Sequence, residues 1–461
     1  MPGLIKTDPL TTKSLCNKIK QGWFETSPSS LLQMITIKWK RGQEQRFMAI
    51  QKALANSKKR NILFILLCFL AYTSSYLLKL SYNANIVCFE SEFGITHAEA
   101  GMVTTFFFFA YGSVQIIHGI FVKKYPLRFV IPGAILLGCV LNLLTVLSPS
   151  FAPIKYYWLF DGAILSILWP SCIRALSENI EEGYRNKAIM IMGLCTAVGT
   201  ILVYLLSALF TAMSHYKIIF YVGIGIGFLI ALSWFFFYPV LALPAKQEET
   251  KQTPISKTKN DGAFFLLVIV LALLCVISTF ARDGISTWFP PLLKEGFGVP
   301  DSYSILLTIL LPIGQFAGSV LSVILGKLMK NRTLLCGFTF LASALLVGVY
   351  LFFGSSSLPL CVAMFGLSSL CFAIIVNVTT SMIPLEWGKE RNSGFYAALF
   401  NGFCYLGSTV SSYGLGALAD RYGWHKATLV IEIALILASI LGILWPIIHG
   451  WISKTKNPNQ N

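Results

Sequence analysis

Twelve long apolar runs constrain this chain more than any other feature. The first six cover 61–88, 98–122, 128–148, 155–178, 187–212 and 217–240. The second six cover 263–291, 302–328, 333–353, 358–383, 393–418 and 426–452. Each has about 20 residues or more, enough for a helix to cross the hydrocarbon core of a bilayer. In that medium backbone groups must be satisfied within the segment, so the runs are predicted as helices. Only 12% of residues are charged, against about 25% in soluble domains, and mean hydropathy is +0.69. The expected fold class is an all-α polytopic membrane protein, with twelve transmembrane helices in two six-helix halves. The polar stretch "ALPAKQEETKQTPISKTKND" separates the two sets. It gives a basic arm over 1–60, bundles over 61–240 and 263–452, a linker over 241–262 and a tail over 453–461.

The net charge of +16 does not point to nucleic acid, because the basic residues lie in short clusters between apolar runs. That pattern reports topology. With both termini inside, the inner segments carry the twelve basic residues of the arm, together with Lys123, Lys124, Arg128, Arg185, Lys187, Lys246, Lys251, Lys257, Lys259, Lys327, Lys330, Arg332, Lys389, Arg391, Lys454 and Lys456. The outer loops carry only Lys155, Lys217, Lys294, Arg421 and Lys426. Most of the eleven cysteines fall inside apolar runs, without Cys-x-x-Cys or Cys/His ligand spacing. They read as small packing residues rather than as a disulfide frame or a metal site. The arm, with Trp23, Phe24 and Trp39 among its basic residues, reads as a surface helix on anionic lipid, a disordered tail, or sequence upstream of a true start at Met48. It is too polar and basic for a cleavable signal peptide.

Three basic residues remain inside the spans: Lys79, Arg174 and Arg282. A lysine at mid-bilayer costs roughly 2.5–3.5 kcal/mol on insertion scales, so Lys79 in "SSYLLKLSYNANI" requires a reason. Lys79 in the first span and Arg282 in the seventh fall at nearly the same depth. Transporters are often built from two halves with the substrate site at the midplane between them. Equivalent spans would set Lys79 and Arg282 across one cavity, where two cations make a receptor for an anion. The alternative is that protein carboxylates neutralise them, for instance Asp283 or Asp161 beside Lys79. Residues 282 and 283 point about 100° apart on a helix, so both are not expected to face the cavity centre. Tyr72, Tyr76, Lys79 and Asn83 form one helical stripe, and Thr279, Arg282 and Ser286 form a similar polar face.

Several motifs resemble one transporter family. "YTSSYLLK" is similar to its first-span pattern of two tyrosines and a substrate-binding cation. "FARDGISTWFPPLLKE" resembles its seventh span, and "AYGSVQIIHGIFVKKYPLRFVIP" its second-to-third span passage. "WPSCIRAL" resembles its fourth-span Trp-Pro, and "SGFYAALFNGFCYLGSTVSSYGLGALADRYGW" its eleventh span. Over roughly 61–452 the chain resembles the organophosphate:phosphate antiporter family of the major facilitator superfamily, the glycerol-3-phosphate and hexose-phosphate transporters. The resemblance implies a monomeric carrier with the major facilitator fold, no cofactor and no metal, in a bacterial cytoplasmic (inner) membrane. Lys79 and Arg282 would grip the phosphoryl group, with Tyr72, Tyr76 and Tyr405 lining the site. The partners expected are a small anion, either an organic phosphate or inorganic phosphate, and the bilayer.

The departures fall where specificity is set. The first-span cation is Lys79 instead of the usual arginine, which replaces planar bidentate recognition with a point charge. The family's fifth-span histidine aligns with Thr196, a second-span lysine with Gln115, and a seventh-span acid with Thr287, while Asp283 is new. In the loops "GIFVKKYPLR" and "GKLMKNRT", Lys123 and Lys330 replace the aspartate of the superfamily's G-x-x-x-D-R/K motif. A different closed-state latch is therefore expected, with Glu181, Glu182, Glu386 or Glu390, although simple positive-inside charge explains the lysines equally. Arg174 is expected to pair with Glu178 or with carbonyls. His118 reads as a packed histidine or a proton site, and Asp161 as a gating or coupling residue. Asp283 is a further coupling candidate. The function expected is exchange of a phosphorylated metabolite for inorganic phosphate. Alternatives are a proton-coupled carboxylate carrier, or a ligand sensor on a transporter scaffold. No phosphate loop, nucleophile elbow or metal-ligand spacing supports an enzyme.

Overall fold

The structure is a computed structural model that describes residues 58–243, 262–354, 357–387 and 393–456. Most of the arm and linker, Glu390 and the last five residues lie outside the described residues, as does the Glu182 side chain. Contacts within the chain divide it into Met1–Arg60 and Asn61–Asn461, and the helical body is the second of these.

The described residues form helices and short connections, with no strand. The first half contains α1 (Lys58–Lys79), α2 (Ser81–Ala84), α3 (Ile86–Phe93), α4 (His97–Phe121) and α5 (Leu127–Val146). It continues through α6 (Ile154–Leu165), α7 (Leu168–Asn179), α8 (Glu182–Ala212) and α9 (Ile218–Leu241). The second half contains α10 (Gly262–Phe297), α11 (Asp301–Leu307), α12 (Leu310–Leu328) and α13 (Arg332–Phe353). It ends with α14 (Leu358–Asn377), α15 (Ile383–Trp387) and α16 (Ser393–Lys456). Among the described residues, eleven helical stretches are long and apolar enough to cross a membrane. The last spans two crossings, because α16 is broken at Gly423, whose φ of 79° no ordinary helical residue adopts. The fold therefore has the twelve crossings expected from sequence.

The outward faces show that lipid surrounds this body. Phe352 is 83% exposed, and Ile120, Leu229 and Leu345 are also exposed, a pattern that would be an aggregation hazard in water. With apolar surface satisfied by lipid, helix association depends on close packing, and the small-residue runs provide it. A Cβ at Gly318 would lie 2.1 Å from the Leu370 carbonyl oxygen, and one at Gly407 2.2 Å from that of Val276. The halves meet along α4 with α16, along α8 with α11 and α12, and where α3 passes α10.

The first crossing is not one continuous helix. It bends immediately after Lys79, where Leu80 N–H still donates to the Tyr76 carbonyl at 3.0 Å, and again at Asn85. Side chains repair the second bend. Asn85 donates to the Ser81 carbonyl at 2.8 Å and to Ser207 Oγ at 2.9 Å, and accepts from Thr211 at 3.2 Å. Such polar substitution is what permits interrupted helices at membrane depth. Pro170 and Pro312 follow breaks in their crossings, whereas Pro132, Pro290 and Pro291 are accommodated inside α5 and α10.

Candidate functional site

Lys79 is the last residue of α1, so its charge sits at the partially negative end of that helix. It is 8% exposed and makes no ion pair with a described residue. Aromatic faces surround it instead. Its Nζ lies 3.6 Å from the Tyr76 ring centre, 4.8 Å from that of Tyr72 and 5.7 Å from that of Tyr111. Desolvated cation–π contacts are worth up to about 2 kcal/mol, which offsets burial without consuming the charge. Trp169 and Tyr72 ring centres lie 4.8 Å apart, and Tyr76 Oη and Thr196 Oγ1 are 2.7 Å apart. Gly199 allows that approach, because a Cβ there would be 2.7 Å from the Tyr76 ring.

The second half completes the arrangement. Tyr405 on α16 packs on Tyr111 with ring centres 5.0 Å apart. Tyr76 and Tyr405 both lie within electrostatic reach of the Arg282 guanidinium. Tyr204 on α8 donates to the Ser286 carbonyl at 3.3 Å. Lys79, Tyr72, Tyr76, Arg282 and Tyr405 thus belong to one neighbourhood between the halves. Trp169, from the Trp-Pro of "WPSCIRAL", joins it, as do Tyr111 and Tyr204, which the sequence does not single out. Tyr111 was hidden in the apolar run "FFFFAYGSV", and only a tyrosine within such a run signalled it. A cavity of about 280 Å³, lined by Arg332, Glu386, Trp387 and Trp445 among others, has neither Lys79 nor Arg282 in its lining.

Arg282 differs from the expected free cation. Its Nε and an Nη donate to the two oxygens of Asp283 at 2.7 and 3.0 Å. Neighbouring side chains diverge at Cβ, but the arginine stem is long enough to curl back. Ser408 also donates to Asp283. Asn83 leaves the predicted stripe, since it lies beyond the bend and accepts from Thr104 at 2.7 Å. Thr279 is spent on packing, donating to the Cys404 carbonyl at 2.6 Å. Gln115, at the family's lysine position, accepts from Asn401 across the halves at 3.2 Å.

Of the residues expected to form a latch, Glu390 and the Glu182 side chain lie outside the described residues, and the other two make no described contact between the halves. Lys123 and Lys330 are exposed and form no ion pair with a described residue. Glu386 instead binds Arg332 within the second half, with Nε 2.8 Å from Oε1. Arg174 likewise stays within the first half, 2.6 Å from Glu178 and 2.9 Å from the Tyr125 carbonyl. Glu181 is exposed. Among the described residues, the ion pair joining the halves is His97 with Glu295, at 3.0 Å, at the end carrying the acidic loops. His97 also holds Glu90 at 2.7 Å. Trp424 donates to Glu295 at 2.7 Å. Asp420 accepts from the first two N–H groups of α4, at 3.0 and 2.8 Å, a site where helix polarity favours negative charge. His118 has both ring nitrogens engaged, 3.0 Å from Tyr125 Oη and 3.2 Å from the Ala163 carbonyl.

The comparisons agree with this architecture. The Major Facilitator Superfamily family model matches residues 64–411. The chain is 24% identical over 268 residues to a cis,cis-muconate transport protein of Acinetobacter baylyi, covering 56% of this chain and 62% of that protein, less than two thirds of its length. It is 22% identical over 405 residues to the glucose-6-phosphate exchanger SLC37A2 of Xenopus tropicalis, covering 74% of this chain and 78% of that one. Among solved structures, a bacterial homologue of the human lysosomal transporter Spinster, inward-facing and occupied, superposes with a TM-score of 0.71 at 14% identity, covering 85% of this chain and 98% of that one. The nucleoside transporter NupG gives a TM-score of 0.63 at 13% identity, covering 84% and 98%. This multi-pass integral membrane protein belongs to the Major Facilitator Superfamily.

Proposed function

We propose that the chain is a secondary transporter that exchanges a small organic anion, a phosphorylated metabolite, for inorganic phosphate by alternating access. One observation carries this reading: Lys79 is buried between the halves, surrounded by tyrosine rings and unpaired with any described carboxylate. A buried charge that makes no direct ion pair with a described carboxylate is arranged for a ligand that supplies the opposite sign. In this reading Tyr72, Tyr76 and Tyr405 line the anion, and Arg282 grips it from the second half once Asp283 yields. Anion binding draws the halves together, whereas an empty cationic site switches slowly, which favours exchange over leak. The similarity to a glucose-6-phosphate exchanger supports the phosphorylated class.

Sidedness follows the positive-inside rule. The end bearing Lys123, Lys124, Lys330 and Arg332 faces the cytoplasm of a bacterial inner membrane, with both termini there. The His97 latch then closes the outer side. The bundles 61–240 and 263–452 are the two rocking bodies, acting within a monomer.

A second reading draws on the Arg282–Asp283 pair, which leaves Lys79 as the cation of the site without an ion pair among the described residues. A dicarboxylate such as muconate would need a proton to match a single cation, so the similarity to a muconate transport protein fits a proton-coupled carboxylate carrier. Proteoliposomes loaded with unlabelled phosphate separate the two. External labelled phosphate entering only when internal phosphate is present, and blocked by phosphorylated metabolites, is the expected result. Uptake of a carboxylate driven by a pH gradient, without phosphate exchange, would replace the first reading with the second.

A further inference from the structure

Asp161 on α6 is 1% exposed, and both of its carboxylate oxygens are buried without a hydrogen-bond partner. The neighbouring helix leaves the group bare. A Cβ on Gly138 of α5 would lie 3.2 Å from Asp161 Oδ1, so the residue facing the carboxylate there is a glycine with no side chain to offer. One turn further on, Asn142 donates to the Gly138 carbonyl at 3.0 Å, and its own Oδ1 is also buried and unpartnered. The charged side chain acting on Asp161 is Lys79 of α1. From α5 the neighbouring titratable group is the Cys139 thiol. From α4, His118 comes to the same helix but is spent on the Ala163 carbonyl and Tyr125.

A carboxylate without hydrogen bonds in an apolar setting has two acceptable states. It is neutral, or it is balanced by a nearby cation. The cation available is Lys79, the same group that receives the anion in the reading above, on which this inference rests. The two negative groups therefore compete for one positive charge. When an anion engages Lys79, the counter-charge is no longer available to Asp161, and the carboxylate takes a proton from solution. We infer that Asp161 is a proton-binding site linked to the anion site, so that one proton is bound and released with each anion. Linkage is reciprocal: the anion draws the proton onto Asp161, and loss of that proton loosens the anion. The substrate is carried together with a proton, even by a carrier that works as an exchanger.

Calorimetric titration of the full-length purified protein with inorganic phosphate, in buffers of different ionisation enthalpy, counts the protons taken up on binding. Phosphate's own titration is common to every variant, so the informative quantity is the difference between wild type and Asp161→Asn. The wild type is expected to take up about one proton more per phosphate than the Asn variant. Equal proton uptake by two proteins that both bind phosphate would overturn the inference. Absence of phosphate binding to the wild type would overturn the anion site, and the inference with it. Should the Asn variant fail to fold, the infrared difference spectrum of the wild type on adding phosphate decides. A protonated-carboxyl band gained on binding supports the proton site, and no change in that region overturns it.

Discussion

Replacing His97 with glutamine tests whether the acidic end is held shut by the contacts described. Glutamine keeps the bulk of the ring between Trp288 and Trp424, whose centres lie 5.5 and 4.9 Å from that of His97, but removes the charge. Of its two carboxylate partners, Glu90 belongs to the same half and does not tie the halves together. Only the Glu295 contact crosses, and the side-chain exposures of 13% for His97 and 47% for Glu295 mean solvent screens it. A charge-assisted hydrogen bond worth roughly 1.5–3 kcal/mol when shielded is therefore reduced to about 1 kcal/mol. That corresponds to about a fivefold shift toward opening at this end. Spin labels placed in the 147–153 loop and the 298–300 loop report the separation by pulsed dipolar spectroscopy. His97→Gln should raise the population at the longer distance. An unchanged distribution, or one shifted to shorter distance, would refute the latch.

Burial holds the Glu90 carboxyl above its ordinary range, against the opposing pull of His97. Acidification therefore neutralises Glu90 before an exposed glutamate, but Glu90 ties His97 only within its own half, so the closed population seen by the same label pair should hold through that step and fall only when Glu295, held below its ordinary range against the effect of burial by His97, is protonated. A closed population that falls together with Glu90 would contradict this. Asp283→Asn frees Arg282 from its bidentate partner and should tighten phosphate binding by up to roughly tenfold, the worth of one charge-assisted bond. Weaker binding in a folded variant would mean that Asp283 orients Arg282 rather than competing for it. Gly318→Ala puts a methyl 2.1 Å from the Leu370 carbonyl oxygen and should cost about 1–3 kcal/mol. A thermal unfolding midpoint in detergent that stays unchanged would contradict the close packing of α12 on α14.

The crossings were legible because lipid imposes length and apolarity on each segment. Lys79 and Arg282 stood out for the same reason, since a charge in such a run is costly. What the sequence concealed was local geometry. Nothing in the order Arg282-Asp283 says that a long side chain will fold back onto its neighbour. The bend after Lys79 was hidden because Ser81, Asn83 and Asn85 read equally as polar members of a continuous helix. Contacts among the basic loops, where the superfamily's motif lies, are described only in part, since Glu390 and the Glu182 side chain lie outside the described residues. The contacts that join the halves at the acidic end involve His97, Glu295 and Asp420, which sequence alone placed in unremarkable outer loops. Tyr111 and Trp169 carried no charge to mark them, so only the fold shows that they complete the aromatic wall.

The central claim is that the buried Lys79 holds the anion. Equilibrium binding of labelled inorganic phosphate to purified wild type and to Lys79→Gln, each shown to be folded by its unfolding profile, tests it most directly. Loss of a charge-assisted contact of roughly 1.5–3 kcal/mol should weaken phosphate binding at least about tenfold. Binding of phosphate to Lys79→Gln with wild-type affinity would contradict the account.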